Sequence, residues 1–333
     1  MMAGTHHGAT RARPGLFARL VATHGQELVV FGCIVLLFVG VGVMNPRFLN
    51  QTNLTSIFSG NAYIAVAAIG MSLVIINGHI DVSVGSLIGV LATIAGTIAV
   101  RGMPVWVAWL VPVVIGMVVT TFIGVLVAYL RIPSIVVTLG MLSVLKGGLI
   151  TATGGKWITG MPDAFFIAQA RWFGIPAPVW FMVVLTIAVA WWMRTYPMGR
   201  AFYAAGGNPE AARAAGIDPR RTAVLAFTLH GMFAGIAAVL FATQLQVIQS
   251  TVPPSLELTV ITASVIGGVS ILGGTGTVIG STLAAILFAC LGSAMVFLNV
   301  SAYWLRAVLG LLILATVLAD MVRRGRDGSA AAS

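Results

Sequence analysis

The chain has 333 residues, of which 59% are apolar and only 8% are charged. Soluble domains carry about 25% charged residues, so the composition excludes an ordinary soluble protein. The formal net charge of +10 could indicate nucleic-acid binding. Basic residues also collect on the cytoplasmic side of membrane proteins, and this explanation fits an apolar chain better. We therefore expect membrane lipid, and no nucleic acid, as a partner.

Apolar runs of about 18 to 25 residues recur along the chain, the length at which a helix crosses a hydrocarbon layer of about 30 Å. Alternation with period two, which a membrane barrel requires, is absent. The sequence therefore predicts an all-α polytopic membrane protein with about ten transmembrane helices. We place these spans at residues 27–44, 55–76, 83–100, 105–130, 134–152, 177–193, 222–245, 257–271, 277–297 and 302–321.

The distribution of basic residues orients these spans. With the N-terminus inside, most of the arginines fall in cytoplasmic segments, and both termini are predicted to be cytoplasmic. The cytoplasmic set is Arg11, Arg13, Arg19, Arg131, Arg194, Arg200, Arg213, Arg220, Arg221, Arg323, Arg324 and Arg326, and the outside set is Arg47, Arg101, Lys156 and Arg171.

We divide the chain into a cytoplasmic N-terminal tail (1–25), a transmembrane domain (26–322) and a cytoplasmic C-terminal tail (323–333). The sequence predicts no soluble domain. Two loops are long. The outside loop 153–176 is rich in turn residues and is expected to be ordered, whereas the inside loop 194–221 contains the stretch AAGGNPEAARAAGI.

Motifs for catalysis and for metal binding are missing. The stretch ITATGGKW lacks the first glycine and the final Ser/Thr of a phosphate-binding loop, and HExxH, GxSxG and CxxC do not occur. Cys33 and Cys290 lie inside apolar runs and have no metal or disulfide spacing. We expect no enzyme activity and no cofactor in this chain.

The stretch 204–217 carries the start and stop signals of a short helix. Asn208 suits the N-cap, Pro209 suits the first helical position, and Glu210 in the first turn complements the helix dipole. Gly216 can supply a left-handed stop. A helix of about seven residues is marginal alone in water, so another surface must hold it.

The surface that holds this helix is left open by the residues alone. Arg213 lies three residues after Glu210, and a face of small side chains suits close docking either on the membrane domain or on another subunit. That face consists of Ala211, Ala212, Ala214 and Ala215.

Polar residues interrupt the apolar pattern at the stretch NGHIDVSVGS, residues 77–86. One interpretation is that Asp81, Ser83 and Ser86 cap a helix beginning near residue 83. The alternative is that Asp81 belongs to a cytoplasmic gate or a subunit contact, because polar groups at membrane depth must face protein or water.

Glycines favour close helix packing and turns. Gly85 and Gly89 are four residues apart, a spacing that lets helices approach in lipid. In the stretch 266–280, Gly273 and Gly274 cluster at a tight turn, where irregular backbone is tolerated if it is buried or lines a cavity. We take these glycines as gate or packing candidates.

Few polar side chains lie deep enough to line a path. Lys146 falls within the fifth span and could face water or an internal partner, and Arg306 is expected to reach an interface. Gln244 is a path candidate at the end of the seventh span, which also carries His230. Lone polar groups of this kind can instead join helices together.

Several stretches resemble one protein family. GRAFYAAGGNPEAARAAGI is similar to the coupling-helix motif of bacterial ABC importer permeases of the sugar type. INGHIDVSVGSLIG, VAYLRIPSIVVTLGMLSVLKG and ASVIGGVSILGGTGTVIGSTLAA follow in the family's order. Within the family, TGGKWITGMP and GRAFYA look most like the autoinducer-2 importers, with the rhamnose type second. His79 stands where many members have glycine, and because the autoinducer-2 type also departs from glycine there, this residue mildly favours that branch.

The resemblance implies a multi-pass permease in the bacterial inner membrane. Its partners would be a second permease chain, identical or paralogous, a periplasmic solute-binding protein docking near 153–176, and cytoplasmic ATPase subunits that bind ATP-Mg. The substrate would be autoinducer-2 or a monosaccharide such as rhamnose or ribose. The ATPase-coupling residues carried over are Gly207, Asn208, Pro209, Glu210, Ala211, Ala212, Arg213, Gly216 and Ile217.

The alternative function is an ion-coupled secondary transporter of a small polar solute. Such transporters place ionisable groups near the membrane midplane, and only Lys146 is predicted to lie that deep. A membrane enzyme acting on lipid is a weaker alternative, because the sequence shows no paired carboxylates or metal cluster.

Overall fold

The computed structural model describes residues 16–318, except residues 252, 302, 303, 305, 306, 309, 313, 316 and 317, and for residues 16–24 it describes the backbone only. Twelve α-helices are defined in this part of the chain: α1 Leu16–Met44, α2 Gln51–Gly60, α3 Ala62–Ile76, α4 Val84–Val100, α5 Val105–Leu130, α6 Ser134–Thr153, α7 Ala177–Thr195, α8 Pro197–Gly207, α9 Pro209–Ala214, α10 Pro219–Ala242, α11 Leu256–Ile266 and α12 Val278–Phe297.

The remaining regular elements are small. Short 3-10 helices cover Pro46–Leu49 and Asp163–Gln169, and strands β1 (Arg171–Trp172) and β2 (Ile175–Pro176) form one antiparallel pair. The described part of the chain is therefore all-α apart from one hairpin and one isolated bridge.

Seven helical segments within the described residues are long and apolar enough to cross a membrane. This confirms the predicted all-α polytopic class. The segments are Gly25–Met44, Gln51–Ile76 (α2 and α3 in series), Val105–Leu130, Ser134–Thr153, Ala177–Thr195, Pro219–Ala242 and Val278–Phe297.

Two of the predicted spans are not among these seven segments, because their helices are shorter. The helix in the predicted span 257–271 is α11, which has 11 residues and ends at Ile266. At 1.5 Å per residue it is about 16 Å long, too short to cross by itself. It ends because Gly267 and Gly268, the latter at φ +100°, turn the chain away. The predicted span 83–100 is occupied by the 17 residues of α4.

Both ends of the chain limit the comparison with the predicted boundaries. α1 begins at Leu16, so residues 16–25 of the predicted tail are helical. The predicted span 302–321 falls in large part on residues outside the described ones, and Arg306 is among those.

Two helices form the centre of the bundle. α3 is buried along almost its whole length, and α10 packs against α3 on one side and α5 on another. Glycine makes the second contact possible, because a Cβ at Gly231 would collide with the backbone of Gly116 and the hydroxyl of Thr120. Close backbone approach of this kind is the usual means of packing helices in lipid.

Buried hydroxyls cross-link the helices around this centre. The Ser72 hydroxyl of α3 donates to the Ser281 hydroxyl of α12 at 2.7 Å and lies 3.4 Å from the Ser264 hydroxyl of α11. Thr121 of α5 and Thr228 of α10 share a bond of 2.7 Å. Each bond satisfies a polar group that would be costly in an apolar interior.

The two long loops lie at opposite ends of α7. The loop 153–176 contains the hairpin and a 3-10 turn, and the backbone of Ile158 pairs with that of Ile248. The side chain of Gln169 donates to the hydroxyl of Thr243 at 3.0 Å. The predicted turn-rich structure of the loop 153–176 is confirmed, and we call this segment the cap loop.

We expect Gly231→Ala to destabilise the protein, because the added methyl group would meet the Gly116 backbone, which has little freedom to move. Overpacking typically costs about 1–3 kcal/mol. The measurement is thermal unfolding of purified protein in detergent, followed by size-exclusion chromatography.

Gly140→Ala is the matched control, because a Cβ at Gly140 meets nothing within 4 Å. Alanine improves helix propensity there by up to about 1 kcal/mol. Equal unfolding temperatures for the two variants would contradict this account of the α5–α10 contact.

Candidate functional site

The helix α9 begins as the sequence predicts. Oδ1 of Asn208 accepts hydrogen bonds from the N–H groups of Glu210 and Ala211, each at 3.0 Å. Pro209 occupies the first helical position, and Glu210 lies in the first turn. The side chain of Asn208 therefore satisfies two of the backbone donors that a helix start leaves free.

The end of α9 is also formed by local sequence. Gly216 has φ +82°, the left-handed conformation expected of it. The N–H of Ile217 donates to the carbonyl of Ala212 at 2.9 Å, and the N–H of Gly216 donates to that of Arg213 at 3.0 Å. This is the pattern of a Schellman motif.

Most of α9 is open to its surroundings. Ala212 is buried and Ile217 is half-buried, whereas the other predicted coupling residues are exposed: Gly207, Asn208, Pro209, Glu210, Ala211, Arg213 and Gly216. α9 contacts α8 and the start of α10. The helix is thus docked on its own chain through few side chains, and the face with Ala211, Ala214 and Ala215 stays uncovered.

Five glycines join α8 to the core, and we call them the glycine joint: Gly78, Gly206, Gly207, Gly273 and Gly274. The N–H of Gly274 donates to the carbonyl of Ile76 at 2.8 Å. A Cβ at Gly274 would lie 2.5 Å from Cα of Gly207, and one at Gly273 would lie 2.9 Å from Cα of Gly78. Backbone thus touches backbone where three segments meet.

The sequence predicts only part of this joint. Gly273 (φ +82°) and Gly274 (φ +76°) form the expected tight turn. Their partners Gly78, Gly206 and Gly207 were not predicted as such. The paired glycines at 206–207 and 273–274 were the signal in the sequence that could have indicated a close backbone contact. Because the two pairs are far apart in the chain, the sequence does not show that they meet each other.

Tyr203 fastens α8 to the same turn. Its hydroxyl donates to the carbonyl of Gly276 at 2.9 Å. Burial, and then the charge of Glu27, raise the pKa of Tyr203 above its ordinary value. The hydroxyl therefore keeps its proton, and the hydrogen bond persists, throughout the physiological pH range.

Asp81 does not cap α4 in the way proposed from the sequence. Its Oδ1 accepts from the N–H of Ser83 at 2.7 Å and from the Ser83 hydroxyl at 2.5 Å. Ser83 occupies the N-cap position of α4 but makes no side-chain cap bond. Ser83 is thus at the predicted N-cap position, but its hydroxyl donates to the Asp81 carboxylate and makes no cap bond to the helix.

The second oxygen of Asp81 faces His230 of α10. Oδ2 lies 3.4 Å from Nε2 of His230, and both side chains are fully buried. Gly70 of α3 makes room for the ring, since a Cβ there would lie 2.9 Å from Nδ1. The sequence did not predict this pair, because 149 residues separate its members (230 minus 81).

Several buried polar atoms, including atoms of the pair itself, have no hydrogen-bond partner in the described part of the chain. Among them are Oδ2 of Asp81, both ring nitrogens of His230, Nδ2 of Asn77 and Oγ of Ser86. Groups of three or more potential metal ligands are absent from the described residues. The arrangement in the described residues is a buried acid–imidazole contact.

The other candidates lie at separate places. A Cβ at Gly85 would lie 2.9 Å from the backbone nitrogen of Glu257, so Gly85 lets the starts of α4 and α11 touch. Lys146 is exposed on α6. Gln244 is half-buried, and its Nε2 donates to the carbonyl of Ser59 at 3.0 Å, which ties the end of α10 to α2.

Comparison with known proteins identifies a family. A sequence profile described as branched-chain amino acid transport system / permease component matches residues 53–317. The chain is 38% identical to the autoinducer 2 import system permease protein LsrC of Salmonella typhi, over 89% of this chain and 86% of that protein. No solved structure matches the chain.

Proteins of the same name from other organisms show similar agreement. The one from Escherichia coli O9:H4 (strain HS) is 36% identical over 89% of this chain and 87% of its own length. The one from Photorhabdus laumondii is 35% identical over 89% of this chain and 90% of its own. The match extends over nearly the full length of each relative.

We expect Asn208→Ala to loosen α9 without disturbing the core, because it removes two capping hydrogen bonds from an exposed element. A lost cap costs about 1 kcal/mol, which corresponds to about a fivefold faster opening. The measurement is hydrogen exchange of the amides at 212–217. Asn208→Asp, which keeps the accepting oxygen, should retain protection, and equal exchange in both variants would contradict the capping role.

We expect Asp81 and His230 to be energetically coupled. Asp81→Ala and His230→Ala should each destabilise the protein, while the double variant should lose less than the sum of the two. Contacting buried groups show coupling of about 0.5–3 kcal/mol. A double-mutant cycle by thermal unfolding measures it, and strict additivity would show that the contact contributes nothing.

Proposed function

The chain belongs to the family described as branched-chain amino acid transport system / permease component, and we propose that it serves an ATP-driven importer that carries a small sugar-like solute. It is a multi-pass protein of the inner membrane and a permease subunit of an ABC importer, and not itself an enzyme. The finer statements below, on partners, sites and substrate, are our proposals.

The observation that carries this proposal is the helix α9. It is capped at both ends, exposed over most of its surface, and held on its own chain mainly by Ala212. A six-residue helix has little stability of its own, so an uncovered one indicates a partner surface. We propose that this surface is a groove in a cytoplasmic ATPase subunit, which binds ATP-Mg.

Motion of α9 would reach the core by two routes. The first runs through α8 to the glycine joint. Backbones are in contact there, so changes of side-chain rotamer cannot compensate for a displacement of α8. The second runs through α10, which begins at Pro219, to the contact of His230 with Asp81. We propose gate roles on these routes for Asp81, Ser83, Gly85, Gly273 and Gly274.

The remaining partners follow from the same assignment. A second permease chain, identical or paralogous, would complete the path, and a periplasmic binding protein would dock on the cap loop. The bias of arginines supports cytoplasmic termini and ten spans, of which α11 would be an incomplete one. Lys146 and Gln244 remain path candidates, although the bond from Gln244 to Ser59 also supports a purely structural role.

The substrate proposal rests on the relatives and not on the site. The family description names branched-chain amino acids, whereas the full-length relatives are named for import of autoinducer 2. We propose autoinducer-2 as the substrate, with a monosaccharide such as rhamnose or ribose as second choice. A relative matched over its full length is the more specific guide of the two.

One observation favours the second candidate function, an ion-coupled transporter. Asp81 and His230 are ionisable and fully buried within the helical bundle. From the sequence, a deep position was predicted only for Lys146. Buried ionisable groups often mark ion or proton pathways in transporters. Uptake by reconstituted vesicles distinguishes the two functions, since only the importer needs ATP and a binding protein.

We expect Glu210→Lys combined with Gly216→Val to leave the protein inserted but to uncouple it. The lysine opposes the helix dipole, and valine cannot adopt φ +82° without strain. ATP-driven uptake into proteoliposomes should fall by about tenfold or more, because even a small misplacement of a functional element lowers a rate strongly. Binding-protein stimulation of ATP hydrolysis should fall with it.

The matched control is Glu210→Asp with Gly216→Asn, which keeps the first-turn charge and a residue that tolerates the left-handed conformation. This variant should transport like the wild type. Full transport by the disruptive variant at normal expression would refute the coupling role. Uptake by the wild type without ATP would refute the importer assignment.

A further inference from the structure

The connection from α10 to α11 runs through the bundle without helical structure. Near its start, Ile248 packs on Gly96, where a Cβ would lie 2.5 Å from its Cδ1. At its end, the backbone of Glu257 lies against Gly85. Gly85 and Gly96 are 11 residues apart on α4, so the connection descends about 16 Å beside that helix.

In this irregular segment the structure describes residues 249–251 and 253–255. Gln249, Thr251 and Pro254 are exposed, and Ser255 adopts φ +59°. Irregular backbone at membrane depth is found only where it is buried in protein or lines a water-filled cavity. Because the three exposed residues are not buried within the chain, they must face water or a second permease chain and not lipid.

Glu257 follows this segment and lies deep. The contact point Gly85 is 15 residues from the end of α4 at Val100, or about 22 Å. Glu257 itself is nine residues from the end of α11 at Ile266, or about 14 Å. Its side chain is therefore near the middle of the bundle.

The carboxylate of Glu257 is half-buried, and no salt bridge joins it to a cation in the part of the chain that the structure describes. An ionisable side chain at this depth faces the bundle interior or water, because lipid makes the charge costly. A second ionisable group has the same property. Lys146 is exposed about 18 Å along α6 from Ser134, and both α6 and α11 pack on α4.

We propose that residues 249–251 and 253–255, together with Glu257, form one wall of the translocation path, and that the Glu257 carboxylate accepts hydrogen bonds from hydroxyl groups of the passing solute. This inference rests on the proposed function, which supplies a neutral, hydroxyl-bearing substrate. An ionised carboxylate only accepts hydrogen bonds, and bonds to it are stronger than those between neutral groups. A polyol supplies the matching donors.

Thiol accessibility tests whether this wall faces water. The background is Cys33→Ser with Cys290→Ala, which removes both cysteines. Thr251→Cys and Glu257→Cys are then introduced separately. The assembled importer in proteoliposomes is treated with a membrane-impermeant methanethiosulfonate, which reacts with the thiolate and therefore needs water at the thiol.

The matched control is Val118→Cys, since Val118 is 64% exposed on the apolar helix α5 and should face lipid. We expect both wall positions to react about tenfold faster than the control or more, because a thiol in lipid stays protonated. Substrate-loaded binding protein should slow their reaction. Reaction as slow as at Val118 would mean that lipid or a second permease chain covers the wall, and would overturn the proposal.

Transport by Glu257 variants tests the hydroxyl contact. Glu257→Leu should lower ATP-driven uptake by about tenfold or more, the loss expected when a hydrogen bond to a charged group is removed. Glu257→Asp, which keeps a carboxylate, should retain most of the uptake. Unchanged uptake by Glu257→Leu would overturn the contact.

Wild-type vesicles separate this result from a failure of the proposed function. If the wild type shows no ATP-driven uptake, the importer assignment fails, whatever the Glu257 variants do. If the wild type transports and Glu257→Leu loses uptake of a cation but not of a neutral polyol, the carboxylate serves cation binding, and the hydroxyl contact is refuted.

Discussion

Contact between backbones at glycine positions is the constraint on which this structure depends. In lipid there is no hydrophobic force to draw apolar helices together, so close approach and buried hydrogen bonds must do so. Gly231 meets Gly116 between α10 and α5, and the glycine joint brings α8 against the turn that follows α11. A methyl group would have no space at Gly116 and Gly231, or at Gly206, Gly273 and Gly274 of the joint, so the arrangement of the central helices is fixed at these positions.

The same contacts make the bundle suitable for transmitting force. Side chains can change rotamer when pushed, whereas two backbones in contact can only move together. α9 stands at the open end of this chain of contacts, and α10 leads from it to the buried pair of His230 and Asp81. Under the proposed coupling role, this connection would carry the motion of α9 to the core of the permease.

Polar groups inside the bundle fall into two kinds. The hydroxyls of Ser72, Ser264 and Ser281 bond to one another and serve to hold helices together. The ionisable side chains of Asp81 and His230 instead face each other, and Oδ2 of Asp81 and both ring nitrogens of His230 have no hydrogen-bond partner in the described part of the chain. A polar group without hydrogen-bond partners in an apolar interior is costly. Such ionisable groups therefore indicate function more strongly than the hydrogen-bonded hydroxyls do.

The sequence by itself determined the membrane class, most helix bounds and both ends of α9, because apolar length and capping residues act within a few neighbouring positions. Asn208 and Gly216 behave as their local chemistry requires. Only the tertiary structure decided that α11 stops at Ile266, that Gly78 meets Gly273, and that Asp81 meets His230 as well as the start of α4. These features join segments far apart in the chain, and local patterns carry no information about which distant backbone will be the neighbour.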